Sequence, residues 1–140
     1  MASFPWNTPT SRTTGIAAES VANAAGFVGS AIDNSTNLDD TMDLQVTINC
    51  ASAPVANTVL YVYLLFSIDG TNYEDGSTSL QPVKVPVASI PARAVTGAQV
   101  VSVAGIPIPP QPFKIACWNA LGQTSTTTVL ADTYRRGYAA

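Results

Sequence analysis

From residue 41 the chain alternates. Met42-Asp43-Leu44-Gln45-Val46-Thr47-Ile48-Asn49-Cys50 sets apolar and polar side chains at period two, the pattern of an antiparallel strand with one face on a core and one in water. Residues 51–58, with Pro54 and Asn57, read as a connection. Residues 59–68 (VLYVYLLFSI) are apolar at both parities and rich in β-branched and aromatic types. That predicts a central strand, one face on the core and the other against a partner or a second layer. Residues 69–76 (DGTNYEDG) carry turn chemistry. Residues 82–90 contain Pro82 and Pro86, which restricts them to an edge strand or an irregular extended piece. A short strand over 99–104 follows, then a proline-rich corner over 105–110 (GIPIPP), expected to stay out of any ladder. Strands over 113–119, closed by Ala120-Leu121-Gly122, and over 126–134 complete the pattern.

The first third is less regular. Val21, Ala25, Val28 and Ile32 form a helical stripe, but Gly26 and Gly29 would cost a helix about 1 kcal/mol each. With only strands downstream, residues 15–32 read as one or two strands of small residues. Residues 1–14 hold Pro5 and Pro9 with Phe4 and Trp6. Prolines favour an extended arm, and its two aromatics call for a pocket, on the same domain or on a neighbour. The expected organisation is an arm over 1–14, an all-β domain over 15–134 and a tail over 135–140. Seven or eight short strands with Gly and Pro turns indicate a single-domain antiparallel β-sandwich or jelly roll.

Composition narrows the function. At 140 residues the chain is one domain, able to bury roughly 65–70% of its unfolded surface. Six basic against nine acidic residues give a net charge of −3, so no basic footprint awaits nucleic acid. No apolar run is long enough to span a membrane. There is no histidine, which removes the commonest general base and metal ligand and every Ser-His or Cys-His pair. The reading is a non-enzyme with no catalytic residues, no metal and no cofactor. Cys50 and Cys117 each fall on an apolar-alternating run and read as buried free thiols, with a core disulfide as the alternative. The first residues show neither a basic n-region nor an apolar h-region, so no secretory signal is expected.

The acidic loop Asp69, Glu74, Asp75 is the best calcium or acid–base candidate, but Thr71 and Tyr73 break the EF-hand spacing, which favours a structural turn. Asp39, Asp40 and Asp43 read as solvated charge. Asn34-Ser35-Thr36 matches a glycosylation sequon and reads as a turn. Trp118 is expected as a core or interface anchor rather than a sugar-stacking platform. Tyr134, Arg135, Arg136 and Tyr138 combine types enriched at interface hot spots.

Several segments carry a resemblance when taken in order: 31–38 (AIDNSTNL), the alternating strand, 63–76 (YLLFSIDGTNYEDG), 105–110 (GIPIPP) with Phe113-Lys114, and 119–123 (NALGQ). Together, over roughly residues 30–136, they resemble small virion structural proteins of tailed bacteriophages, of the capsid decoration or cement type. The resemblance implies a β-sandwich subunit on the outer capsid surface, made in the bacterial host cytoplasm. Its implied partners are the major capsid protein and further copies of itself in a symmetric dimer or trimer. Phe4, Trp6, Tyr134, Arg135, Arg136 and Tyr138 are the expected contact residues. Two other classes compete: a tail or fibre-associated module binding a host glycan or a neighbouring tail protein, with Tyr73 as an exposed aromatic, and a carboxylate-dependent hydrolase using Glu74 and Asp75.

Overall fold

A computed structural model describes residues 11–135. Eight strands follow one another: β1 (Ser11–Val21), β2 (Ala25–Ile32), β3 (Thr41–Cys50), β4 (Val59–Phe66), β5 (Ala88–Pro91), β6 (Gly97–Pro107), β7 (Phe113–Ala120) and β8 (Ser125–Tyr134). They form two four-stranded sheets, ordered β1-β8-β3-β6 and β2-β7-β4-β5. The antiparallel pairs β1 with β8, β2 with β7, β3 with β6 and β4 with β5 are nested like one long hairpin. Pairs β3 with β8 and β4 with β7 roll that hairpin into two layers. This is jelly-roll topology, the all-β sandwich expected from the alternation.

The core lies between the layers. Met42, Leu44, Val46, Ile48 and Cys50 from β3 face Leu60, Val62 and Leu64 from β4 and Phe113, Ile115 and Cys117 from β7, all buried. Every second residue points inward because strand side chains alternate. Residues 15–32 are two strands joined by a turn, so the helical stripe carries no helix: Val21 ends β1 and Ala25 begins β2. Small residues serve a purpose here. A Cβ on Gly29 would lie 1.9 Å from the Gly15 carbonyl oxygen, so the glycine pair lets β1 and β2, on different sheets, approach where the sandwich closes.

Two expectations need correction. Residues 11–14, read as arm, belong to β1 and pair with β8 from Thr133 to Leu130. The strand starts early because Arg12 lies opposite Asp132 and makes a bidentate ion pair with it at 2.7 Å. Residues 105–107 do enter a ladder: Ile106 lies opposite Met42 and Pro107 opposite Thr41. They can because β6 is an edge strand, where one side of the backbone needs no partner; a register shift between Met42 and Leu44 accommodates the irregularity. The edge strand or irregular extended piece expected over 82–90 is found as both: β5 is an edge strand, and residues 82–87 lie outside the regular ladder.

Two buried asparagines close the ends of the sandwich. At one end Asn119, fully buried, donates from Nδ2 to the carbonyls of Val21 (2.7 Å) and Gln123 (2.9 Å) and accepts from the Leu121 amide (2.9 Å). It thereby ties β7 to the end of β1 and to the β7–β8 turn. At the other end Asn34 donates to the carbonyls of Asp39 (2.8 Å) and Pro109 (2.7 Å) and accepts from the Asp39 amide (2.9 Å). A buried polar backbone group left unpaired costs about 1–3 kcal/mol, so each amide offsets several such penalties.

Replacing Asn119 by Ala is expected to destabilise the domain by about 3 kcal/mol, read as a lower urea midpoint at unchanged slope. Asn119→Asp keeps the shape but sets a carboxylate oxygen against two carbonyls, and is expected to fall at least as far. Two variants within about 0.5 kcal/mol of the parent would contradict the clamp.

Candidate functional site

The end of the sandwich that carries Asn34 gathers most of the residues singled out above. Ser11, Thr41, Pro107 and Tyr134 lie at this end of one sheet, and Ile32, Phe66 and Phe113 at the same end of the other. The chain thus enters β1 and leaves β8 on one end of the molecule. Among the expected contact residues, Phe4, Trp6, Arg136 and Tyr138 lie outside the described residues. Tyr134 is buried, its hydroxyl donating to Asp43 Oδ1 at 3.1 Å. Its expected place in an interface is corrected: the ring is already covered and its polar tip is used within the domain. Arg135 is exposed, and its guanidinium donates to the carbonyl of Asn37 in the β2–β3 loop.

The acidic candidates hold the backbone in place. Asp69 Oδ1 accepts from the amides of Thr71 (2.9 Å) and Asn72 (2.7 Å) and from the Ser67 hydroxyl (3.0 Å), while Oδ2 takes the Asn72 side-chain amide at 2.7 Å. These donors, the backbone amides of Asn72 and Thr71 foremost, hold the Asp69 carboxyl well below the usual carboxylate range. Glu74 acts as a false strand partner at the end of β4. Its amide donates to the Phe66 carbonyl at 3.1 Å and its Oε2 accepts from the Phe66 amide at 2.9 Å. Lys84 donates to the same oxygen at 2.5 Å and to the Leu64 carbonyl at 2.8 Å. Burial opposes the Glu74 charge, but Lys84 and the Phe66 amide outweigh it and lower the carboxyl's pKa. Asp43 accepts from the Gly105 amide at 2.8 Å. Among the described residues no three acidic or cysteine side chains group as a metal site.

The other candidates settle similarly. Cys50 and Cys117 are free and buried, on β3 and β7. Burial pushes the Cys117 thiol up to about 12, leaving no thiolate for chemistry at neutral pH. Asn34 is buried in its clamp, so the sequon's nitrogen is inaccessible to a transferase. Trp118 sits half-buried with Tyr61 and Val28 around Tyr63, Leu65 and Ala116, a second apolar cluster apart from the core. The β4–β5 loop reaches this cluster: the Gly26 amide donates to the Thr78 carbonyl at 2.9 Å and Gln81 Nε2 to the Tyr63 hydroxyl at 2.8 Å. The second layer predicted over residues 59–68 is this loop.

An open groove of about 1010 Å³ at the converging end went unread in the sequence. Phe66, Ile68 and Tyr73 line one side; Pro107, Ile108 and Pro109 line the other. The Ile68 side chain is almost wholly exposed, at 92%, whereas a Lys114 ammonium lies 4.2 Å from the centre of the Tyr73 ring and covers one of its faces. The GIPIPP segment was the available signal, but only the register of β6 with β3 brings it opposite the end of β4.

Asp69, Glu74 and Asp132 all have native pKa values below their ordinary values of 3.8, 4.5 and 3.8. For Asp132 the chief cause is its hydrogen bond with Arg12. Lowered carboxyls stabilise the fold above the unfolded values, and that contribution is lost as pH falls through the native ones. The urea midpoint is therefore expected to fall between about pH 5.5 and about pH 2.5, less steeply in Asp69→Asn. A midpoint flat or rising on acidification would contradict the assignment. Comparison with protein families, with curated proteins and with solved structures finds no match to this chain, so its fold and its converging end are what a functional reading has to rest on.

Proposed function

We propose that the chain is a structural virion protein that binds the outer surface of a tailed-phage capsid and stabilises the shell. The observation that carries this reading is that the start of β1 and the end of β8 lie, with an open groove of apolar walls, at one end of an eight-stranded jelly roll. Such a subunit has a built-in contact end and a rigid body behind it. The segments that carry the likeness to decoration proteins support the reading through the fold. Residues 31–38 form the Asn34 clamp, 63–76 the end of β4 and the Asp69 turn, 105–110 one wall of the groove, and 119–123 the Asn119 clamp.

A cement protein acts by mass action: binding the assembled lattice and not free subunits shifts the assembly equilibrium towards shell. Modest contacts suffice when a symmetric dimer or trimer presents several at once. The second reading, a tail or fibre module for a host glycan, draws on the groove beside Tyr73, although Lys114 already covers one face of that ring. The hydrolase reading loses its motive, because Glu74 is engaged with Phe66 and Lys84.

The test is co-sedimentation with capsids that lack the chain. A truncation removing residues 1–10 stops short of β1 and is expected to keep the parent's unfolding midpoint while losing capsid binding at least tenfold. Equal binding by parent and truncated chain would remove the arm from the account. Retention of the parent on glycan-bearing host cells and not on capsids would favour the fibre reading.

A further inference from the structure

Each sheet ends in two edge strands, β1 and β6 on one, β2 and β5 on the other. Three of the four are blunted. β1 carries Arg12 and Glu19 and shifts register twice against β8. β2 shifts register between Val28 and Ala31, its Gly26 amide donates to the Thr78 carbonyl, and its Gly29 packs on Gly15 of β1. β5 is four residues long, with Pro91 at its end and Pro86 just before it. Charge, bulges, proline and brevity are the devices that keep a sheet edge from pairing with another chain.

β6 has none of them over Gly97–Ala104. This stretch holds no charged residue and no proline. It runs in unbroken register with β3, from Gly97 opposite Cys50 to Val103 opposite Leu44. Gly97 and Gly105, both at positive φ, bound its regular part, Ala98–Ala104. Among the described residues no strand lies on its outer side. The core is also thinner here: Val101 and Val103 are half-buried, whereas Val46 and Leu44, opposite them on β3, are buried. Val100, on the solvent face, is 58% exposed.

The chain that such an edge fits is a second copy of itself. In a twofold antiparallel pairing, residues equidistant from the axis face each other. The segment Ala98–Ala104 (AQVVSVA) has its centre at Val101. About that centre Ala98 meets Ala104, Gln99 meets Val103 and Val100 meets Ser102, while Val101 meets its own copy. Each pair keeps core-facing residues with core-facing residues, because positions two apart share a face. No like charges are set against each other, the usual obstacle to a strand pairing with itself.

We propose that two copies of this chain pair through β6, antiparallel about a twofold axis at Val101, into one continuous sheet of eight strands, four from each copy. The contact closes on itself. Both β6 edges are used up, and the joined sheet ends on either side at β1, where Arg12, Glu19 and the register shifts oppose further addition. The inference rests on one strand's composition and register, and it holds for the free protein independently of any role in a particle.

The test is sedimentation velocity on the full chain. Two such short strands make a contact at the small end of specific interfaces, so a Kd on the order of 10 μM is expected. At about 100 μM the parent is expected to sediment at twice its single-chain mass of 14.5 kDa and to dissociate on dilution. Val100→Lys combined with Ser102→Lys, at two solvent-facing positions, sets lysine against lysine across the axis. That double variant is expected to be a monomer with the parent's near-ultraviolet circular dichroism. Val100→Glu combined with Ser102→Glu is expected to behave alike, and an equimolar mixture of the two double variants is expected to regain the dimer mass. A parent that stays monomeric at about 100 μM would overturn the proposal. A dimer that the double lysine variant leaves intact would overturn it equally and place the contact on another surface. A mixture of the lysine and glutamate variants that stays monomeric would contradict the pairing about Val101 and so the proposal.

Discussion

Two uncharged side-chain amides hold the sandwich shut. Its sheets share an apolar core, which attracts without direction, and each sheet's ladder satisfies only its own backbone. At the ends, where strands turn and cross between layers, carbonyls and amides would be buried without partners. Asn119 and Asn34 supply those partners from inside, each linking segments far apart in sequence. Aspartate would add a charge that a buried site disfavours, and serine would offer too few arms. An amide alone combines two donors with an acceptor on one rigid plane. The segment that Asn34 fixes at Pro109 also forms one wall of the groove.

The two outer faces then diverge. On the β2-β7-β4-β5 sheet, Tyr63, Leu65 and Ala116 point away from the core yet are buried, because the long β4–β5 loop folds back and bonds to Gly26 and Tyr63. Glu74 and Lys84 fasten that loop to the end of β4. The opposite face, on β1-β8-β3-β6, presents Gln45, Asn49, Ser102 and Thr126 to solvent, with the Arg12–Asp132 pair across its edge. That exposed pair contributes little stability, but its bidentate geometry fixes where β1 begins. Beside a covered face and a wet face, the converging end carries an open groove with apolar walls.

Much of the fold was legible in the sequence. Period two identified β3, and apolar residues at both parities marked β4 as central before its cover was known. The misread places share a cause: each depended on what lies beside a segment in space. Proline at 107 is barred from an inner strand and allowed at an edge, and the sequence does not say which β6 is. Residues 11–14 resembled the prolines before them until Arg12 met Asp132. Asn34 reads as a turn residue and Asn119 as the end of a strand, while their reach to Pro109 and Val21 is set by topology. Tyr134 looked like an interface residue because the type alone cannot reveal that Asp43 accepts its hydroxyl.

On the proposed function, one end of this jelly roll is a contact surface for an assembled shell. The deciding measurement is electron cryomicroscopy of tailed-phage capsids incubated with the chain. Density for this 14.5 kDa subunit is expected on the outer capsid surface at symmetry axes, with the Asn34 end and the groove turned to the shell. Density confined to the tail, or an outer-shell subunit touching the capsid through its Thr126 and Gln45 face, would contradict it.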